Sequence, residues 1–173
     1  MKNLVTIGLP IYKRLHYLPH VLSAIRAQDY PFIELLVSDN GMNGRSVMNV
    51  VADCYDKPFR IRQNTSTVSI STHFNQIIGE ASGEYFLLLA DDDEISSNYV
   101  SELVGMLQQH PEGAVGIAKQ EILNEAGSVI KQSKETLPDF LSGPDFIRAA
   151  WHTNQYGFDC FARFLSKTED LKQ

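Results

Sequence analysis

An α/β domain built on a mainly parallel sheet is the fold class this sequence predicts. Short apolar runs alternate with stretches whose apolar residues recur every three or four positions, the pattern of strands alternating with helices. Pro, Gly and Asn-Gly close the individual segments. The most apolar run, Glu84 to Ala90, leads directly into Asp91-Asp92-Asp93-Glu94.

Leu4 to Leu9 reads as the first strand, stopped by Pro10. From Tyr12 to Ala27, Leu15, Leu18, Leu22 and Ile25 recur at helical spacing, with Pro19 in the first turns of the expected helix. Tyr30-Pro31 breaks the chain. Ile33 to Val37 is the second strand, ending at Ser38-Asp39-Asn40-Gly41, where Asn-Gly signals a turn. Ser46 to Tyr55 suits a second helix and Phe59 to Gln63 a third strand. Thr67 to Ala81 places Phe74, Ile77, Ile78 and Ala81 on one side of a helix that Gly83 ends. Glu84 to Ala90 then predicts a central strand buried on both faces.

Ser96 or Ser97 caps the next helix, which runs to Gln109 and stops at His110-Pro111. Ala114 to Lys119 is a fifth strand, and Ile122 to Lys131 a small hairpin about Gly127. Gly143-Pro144 opens a helix through Trp151, and Gly157 to Leu165 reads as a last strand. No repeat, low-complexity tract or linker divides the chain, so residues 1–173 read as a single domain.

The composition narrows the function classes. With 173 residues, 43% apolar and 21% charged, the chain can bury one substantial core and is not disordered. A net charge of -6 argues against broad nucleic-acid binding, because phosphate would be repelled over most of the surface. Lys13-Arg14 and the pair Arg60 and Arg62 are local exceptions able to hold a phosphate or two. Cys54 and Cys160 lack zinc or CxxC spacing and read as reduced, buried thiols, with one bridge between them as the alternative. The run Leu4 to Leu9 is too short for a signal sequence or a membrane span, so the expected location is cytoplasmic.

Ligands of open α/β sheets bind outside the carboxyl ends of the strands, and there the sequence places Asp91 to Glu94. Neighbouring carboxylates at about 4 to 6 Å repel by about 3 to 4 kcal/mol per pair at an effective dielectric near 20. A hard divalent cation removes that conflict, and Mg²⁺ or Mn²⁺ is commonly held by one or two carboxylates together with substrate phosphates. The alternative is a solvated acidic turn that favours the N-terminus of the following helix. The loop lacks EF-hand spacing, and neither GxGxxG nor GxxxxGK[ST] occurs, so neither a calcium loop nor a dinucleotide or P-loop site is indicated.

Five segments follow one another in order: Leu9-Pro10-Ile11-Tyr12-Lys13-Arg14; Leu18 to Gln28; Tyr30-Pro31 through Asp39 to Gly41; Asn75 with Ala81-Ser82-Gly83-Glu84-Tyr85; and Leu89-Ala90-Asp91-Asp92-Asp93-Glu94-Ile95. Together they resemble family-2 glycosyltransferases. Any one is a weak signal; the ordered set is specific. The resemblance implies a GT-A (Rossmann-like) fold, a mixed but mainly parallel sheet flanked by helices. It also implies transfer of a sugar from a nucleotide-diphosphate donor, with UDP the first expectation, to a glycan or lipid acceptor. Pro10, Ile11 and Tyr12 look like the loop that packs on the nucleoside, with Arg14 beside it. Asp39 matches the carboxylate that binds the base, Asn75 faces the donor pocket, and Asp91 matches the ribose-side acid. Asp91, Asp92 and Asp93 are the expected ligands of Mg²⁺ or Mn²⁺, Asp93 through water.

Two departures matter. Ala90 stands where many relatives carry the first aspartate, and Lys13 where many carry Asn. Asp39 also has a purely local alternative as the turn former before Asn40-Gly41. The resemblance places the catalytic base late in the domain, after a Gly-Gly-Phe-like turn. Taking Phe161 to Leu165 as the strand before that turn, and Ser166 to Gln173 as the start of the next helix, the chain is expected to stop before the base. Glu169-Asp170 is the competing assignment.

The expected function is therefore a metal-assisted glycosyltransferase, with a truncated or non-catalytic nucleotide-binding module as the alternative. Glycan or lipid acceptors make peripheral association with the inner face of a membrane compatible with this reading. A nucleotidyltransferase is disfavoured, because Pro10 to Arg14 has no Gly for a phosphate loop. His16 and His20, at zinc-compatible spacing without a third ligand, read as surface residues. His73 reads as a helix-surface residue with a phosphate contact as the alternative. Trp151, His152 and Tyr156 are candidates for an acceptor platform or for core packing.

Overall fold

Val5–Ile11 forms β1, and every side chain from Val5 to Leu9 is buried, because the strand lies inside the sheet with helices on both faces. This computed structural model describes residues 3–124, 126–132, 138–153 and 163–172, with the side chains of 149–153 left aside. The strand does not stop at Pro10, contrary to the sequence reading. Pro10 is in register with Ser38, while the neighbouring strand on the other side pairs only as far as Gly8 and Leu88. Gly8 faces that neighbour, its carbonyl accepting from Leu89 N–H at 3.0 Å. Two residues on, the absent N–H of Pro10 points the same way, past the end of the pairing, and costs no ladder bond.

A 3-10 turn at Leu15–Tyr17 leads into α1, Leu18–Arg26, with Pro19 in its first turn. β2 is Ile33–Asp39, α2 Arg45–Cys54, β3 Phe59–Gln63, α3 Ile70–Glu80, β4 Tyr85–Leu88 and α4 Tyr99–Gln109. β5 is Val115–Ile117, followed by the hairpin β6, Glu121–Leu123, and β7, Val129–Gln132, in which Gly127 takes the positive φ the turn requires. α5 is Gly143–Thr153, β8 Phe164–Lys167 and α6 Thr168–Leu171. The last strand thus ends later than the sequence suggests, Ser166 and Lys167 belonging to it rather than to a helix, while residues 157–162 of the expected strand lie outside the described residues. Cys160 and Tyr156 lie outside the described residues, as do the side chains of Trp151 and His152.

The six-stranded sheet has the order β3-β2-β1-β4-β8-β5. β1 pairs with β2 and β4 in parallel, and β2 with β3; β8 runs antiparallel between β4 and β5. Alternate residues serve two cores. Ile7, Leu9, Leu35, Val37, Leu87 and Leu89 pack with Leu22 and Ile25 of α1, Val51 of α2 and Leu103 of α4. On the opposite face Leu36, Phe86 and Leu88 pack with Ile77 of α3. Gly8 allows α3 to lie close, since a Cβ there would sit 2.5 Å from Ile77 Cγ2 and 2.9 Å from Phe86.

The expected Ser96 or Ser97 cap is not formed. Asn98 holds the cap position of α4 without a side-chain cap bond. Buried Gln28, at the end of α1, accepts from Val100 N–H instead.

Candidate donor site at the carboxyl edge of the sheet

The parallel strands β1, β2 and β4 end at one edge, so three loops meet there by topology: Tyr12–Arg14, Asn40–Gly44 and Asp91–Glu94. The acidic expectation is thus met in place: Asp91 to Glu94 follow a strand buried on both faces.

Arg14 joins the first loop to the third. Its guanidinium forks across the acidic loop, Nη1 donating to Asp92 at 2.6 Å and Nη2 to the carboxylate of Asp91. The Asp91 side chain is 5% exposed, that of Asp92 39%, and that of Arg14 51%. Burial pushes the Asp91 carboxyl up, the hydrogen bond and charge of Arg14 oppose the rise, and Asp92 adds to it. Lys13 lies over the Tyr12 ring, 5.0 Å from its centroid.

Among the described residues no three acidic, His or Cys side chains are grouped to hold an ion. Joint ligation by Asp91, Asp92 and Asp93 is therefore not preformed; the two carboxylates converging on one positive charge are Asp91 and Asp92. Asp93 turns its backbone N–H to the Ala90 carbonyl at 3.3 Å. Two hard oxygen donors converging on a cation fit Mg²⁺ or Mn²⁺ whose remaining ligands come from phosphate and water; they do not make an all-protein cage.

Asp39, 1% exposed, organises the second loop. Oδ1 accepts from Gly41 N–H at 2.9 Å and Asn43 Nδ2 at 2.8 Å; Oδ2 accepts from Asn43 N–H at 2.8 Å and Gly44 N–H at 3.0 Å. Four donors fill the lone-pair sites of a carboxylate, so Asp39 holds its own turn in this structure. Asn43 also donates to the Tyr12 carbonyl at 2.6 Å, and a Cβ on Gly41 would meet that same oxygen at 1.4 Å. Loops one and two are locked together through Asn43 and Gly41. Sequence reasoning missed Asn43, for which the signal was its position four residues after Asp39 in an Asn-Gly turn.

The remaining candidates separate. Pro10 and Ile11 end β1, and Ile11 accepts from Asn40 N–H at 2.8 Å. Tyr12 is 48% exposed. Asn75 is exposed in the middle of α3, and its side chain forms no hydrogen bond to these loops. His73, read as a surface residue, is instead buried, with Nε2 2.8 Å from Ser38 Oγ; it packs against the back of β2 because α3 crosses that face. The pair Arg60 and Arg62 is engaged with acidic partners away from these loops: Arg60 pairs with Glu34 at 2.7 Å and Arg62 with Glu80. His16 and His20 are exposed, as expected.

Glu169 and Asp170 lie in α6, where Thr168 N–H bonds the Glu84 carbonyl at the start of β4. Antiparallel β8 delivers them to the edge opposite Asp91. A cleft of about 550 Å³ lined by Gly83, Lys167, Thr168 and Lys172 is at that far edge too, and contains none of the expected donor-binding residues.

A mainly parallel sheet with one antiparallel strand set beside the acid-bearing strand, flanked by helices, is the GT-A glycosyltransferase architecture, and solved structures agree. S. aureus TarS 1-349, in complex with UDP-GlcNAc, superposes with a TM-score of 0.75 at 20% identity, over 99% of this chain and 47% of that one. The chain belongs to glycosyl transferase family 2, whose model matches residues 6–172. Among curated relatives, Glycosyltransferase GlyG of Streptococcus pneumoniae is 26% identical over 63% of this chain and 36% of its own length. The GalNAc(5)-diNAcBac-PP-undecaprenol beta-1,3-glucosyltransferase of Campylobacter jejuni is 25% identical over 74% of this chain and 41% of its own. The chain thus spans less than half the length of each of these relatives.

Proposed function

We propose that this chain binds the nucleotide-diphosphate sugar of a metal-assisted glycosyl transfer, and that the acceptor is a glycan or a lipid-linked glycan. The observation that carries the reading is the convergence of Asp91 and Asp92 on one positive group, the Arg14 guanidinium, at the carboxyl end of β4. Pro10, Ile11 and Tyr12 offer an apolar ledge for the nucleoside, and Asp91 the acid beside the ribose. Asn75 is the remaining donor-side candidate, with Asp93 an outer ligand through water. Asp39 serves the base either directly, by giving up one of its loop bonds, or by shaping the loop that meets it.

Mg²⁺ or Mn²⁺ on Asp91 and Asp92 would offset the negative charge that builds on the departing diphosphate. The protein's own part is to hold the two carboxylates on one side, the nucleoside ledge on the other, and to keep both fixed through Asn43 and Gln28. UDP is the favoured nucleotide: TarS has been solved with UDP-GlcNAc and with UDP. The lipid-linked acceptor rests on the name of the Campylobacter jejuni relative, and it favours peripheral work at the cytoplasmic face of a membrane. No helix among the described residues is long and apolar enough to cross one.

Calorimetric titration with UDP, GDP and dTDP, with and without Mn²⁺, tests the reading. Metal-dependent binding of one nucleotide, lost in Asp91→Asn and Asp92→Asn, is expected; no binding of any of them overturns it.

A second reading, a nucleotide-binding module without transfer, is favoured by one observation: Glu169 and Asp170, the acidic pair offered as the base, lie at the opposite edge from Asp91. Sugar transfer by the 173-residue chain would exclude this second reading.

A further inference from the structure

We propose that Arg14 is a built-in counter-ion that competes with the divalent cation for Asp91 and Asp92, and that the donor's diphosphate draws it away, so that cation and nucleotide bind as a coupled pair. This rests on the function proposed above and adds to it an order of events and a residue that enforces it.

The geometry supplies the competition. One guanidinium engages both carboxylates, its Nη2 on Asp91 and its Nη1 on Asp92, so a cation bound to those oxygens and the Arg14 fork exclude each other. Without a positive charge between them, two adjacent anions, one almost fully buried and the other partly exposed, would repel. Arg14 relieves that repulsion in the free protein, and a divalent ion arriving alone has to displace it. It has little to gain, since no third acidic, His or Cys side chain is grouped there among the described residues.

A diphosphate changes both sides of this balance. Its oxygens complete the coordination that two carboxylates leave open. They also offer Arg14 another acceptor that a planar guanidinium can grip with two N–H groups. Arg14 is placed to make the exchange. Its side chain is half exposed and it lies in the loop after the nucleoside ledge. Arg60 and Arg62 of β3 are tied to Glu34 and Glu80, and Arg45, exposed at the start of α2, takes no part in the ion pairs of the acidic loop. Lys13 sits over Tyr12.

Linkage makes the coupling reciprocal: whatever factor the nucleotide adds to the cation's affinity, the cation adds to the nucleotide's. Free Mn²⁺ measured by electron paramagnetic resonance, titrated into the protein with and without UDP, reads both. The wild-type chain is expected to bind Mn²⁺ weakly alone and at least about fivefold more tightly with UDP. Arg14→Gln should bind Mn²⁺ alone more tightly than wild type, by about fivefold or more, yet bind UDP less tightly in saturating Mn²⁺. Part of the coupling survives there, because shared ligation of the ion does not need Arg14.

Lys13→Gln removes an equal charge from the same loop without touching the carboxylates, and should leave the affinity for Mn²⁺ alone where it was. Arg14→Lys, which keeps the charge but cannot fork, should fall between Arg14→Gln and wild type. If Arg14→Gln binds Mn²⁺ alone no more tightly than wild type, or if Lys13→Gln tightens it equally, the competition is refuted while the proposed function stands. If no protein binds Mn²⁺ with UDP, GDP or dTDP, both fall together.

Discussion

Gln28 Oε1 accepts a hydrogen bond from Val100 N–H at 3.1 Å, joining the end of the first helix to the first turn of the fourth across 72 residues of sequence. Its Nε2 donates to the Ser96 carbonyl at 2.8 Å and to the Ala24 carbonyl at 3.1 Å. Asp29 N–H adds a bond to the Ser97 carbonyl at 2.9 Å. The segment between Asp91 and Tyr99 is thereby pinned at its far end, and the acidic loop is stretched between β4 and this clamp.

Replacing Gln28 by Ala leaves a buried N–H and carbonyl without partners. Gln28→Ala should destabilise the protein by about 1–3 kcal/mol, read as a lower urea midpoint with an unchanged slope. It should also weaken Mn²⁺-dependent nucleotide binding more than a surface change does. Binding and stability both equal to wild type would show that the loop is held otherwise.

Asp39 accepts four hydrogen bonds from its own loop. Asp39→Asn turns one acceptor into a donor facing N–H groups, so it should cost about 1–3 kcal/mol in urea unfolding even without nucleotide. If Asp39 serves only the base, the variant keeps full stability and loses only affinity. The two roles are separated by measuring both.

At Gly41 a methyl group would overlap the Tyr12 carbonyl, 1.4 Å away, which is backbone and cannot rotate aside. Gly41→Ala should part the first two loops, lowering the melting temperature and weakening nucleotide binding. Gly79 in α3 has open space within 4 Å; Gly79→Ala should stabilise by about 0.5–1 kcal/mol through helix propensity. An equal response at the two positions would contradict the packing described.

Burial lowers the proton affinity of His73 below its ordinary value of 6.5, Arg62 adds to the fall, and Ser38 and Asp39 oppose it. The unfolded chain therefore takes up a proton at His73 before the folded one does. Stability is fully present above the ordinary value and declines as pH drops from it through the lower folded value. His73→Gln, which preserves a hydrogen-bonding group near Ser38, should flatten the pH dependence of the urea midpoint in that range. An unchanged slope would show that His73 does not contribute to it.

The positions of the acids in this candidate site were legible in the sequence. Asp91 and Asp92 follow a run so apolar that only a strand buried on both faces accommodates it, and Asp39 precedes Asn40-Gly41 at the end of another. Both placements follow from strand direction alone. His73 was misjudged because its inward turn depends on which face of β2 the third helix crosses, and a single polar residue in a helical period carries no such information. The cap of α4 was misplaced for a similar reason: local chemistry favours Ser96 or Ser97, but Gln28, distant in sequence, satisfies the same N–H group.

By itself the sequence determined the succession of strands and helices, the parallel core and the edge at which the acids emerge, because hydrophobic period and turn chemistry are local properties. Only the tertiary structure decided that β8 runs antiparallel beside β4, carrying Glu169 and Asp170 away from the acidic loop. It alone put Arg14 between Asp91 and Asp92 and saturated Asp39 with its own loop. Those outcomes depend on which groups meet across long stretches of chain, where hydrogen bonding and charge act over a few ångströms of space and leave no periodic mark in the order of residues.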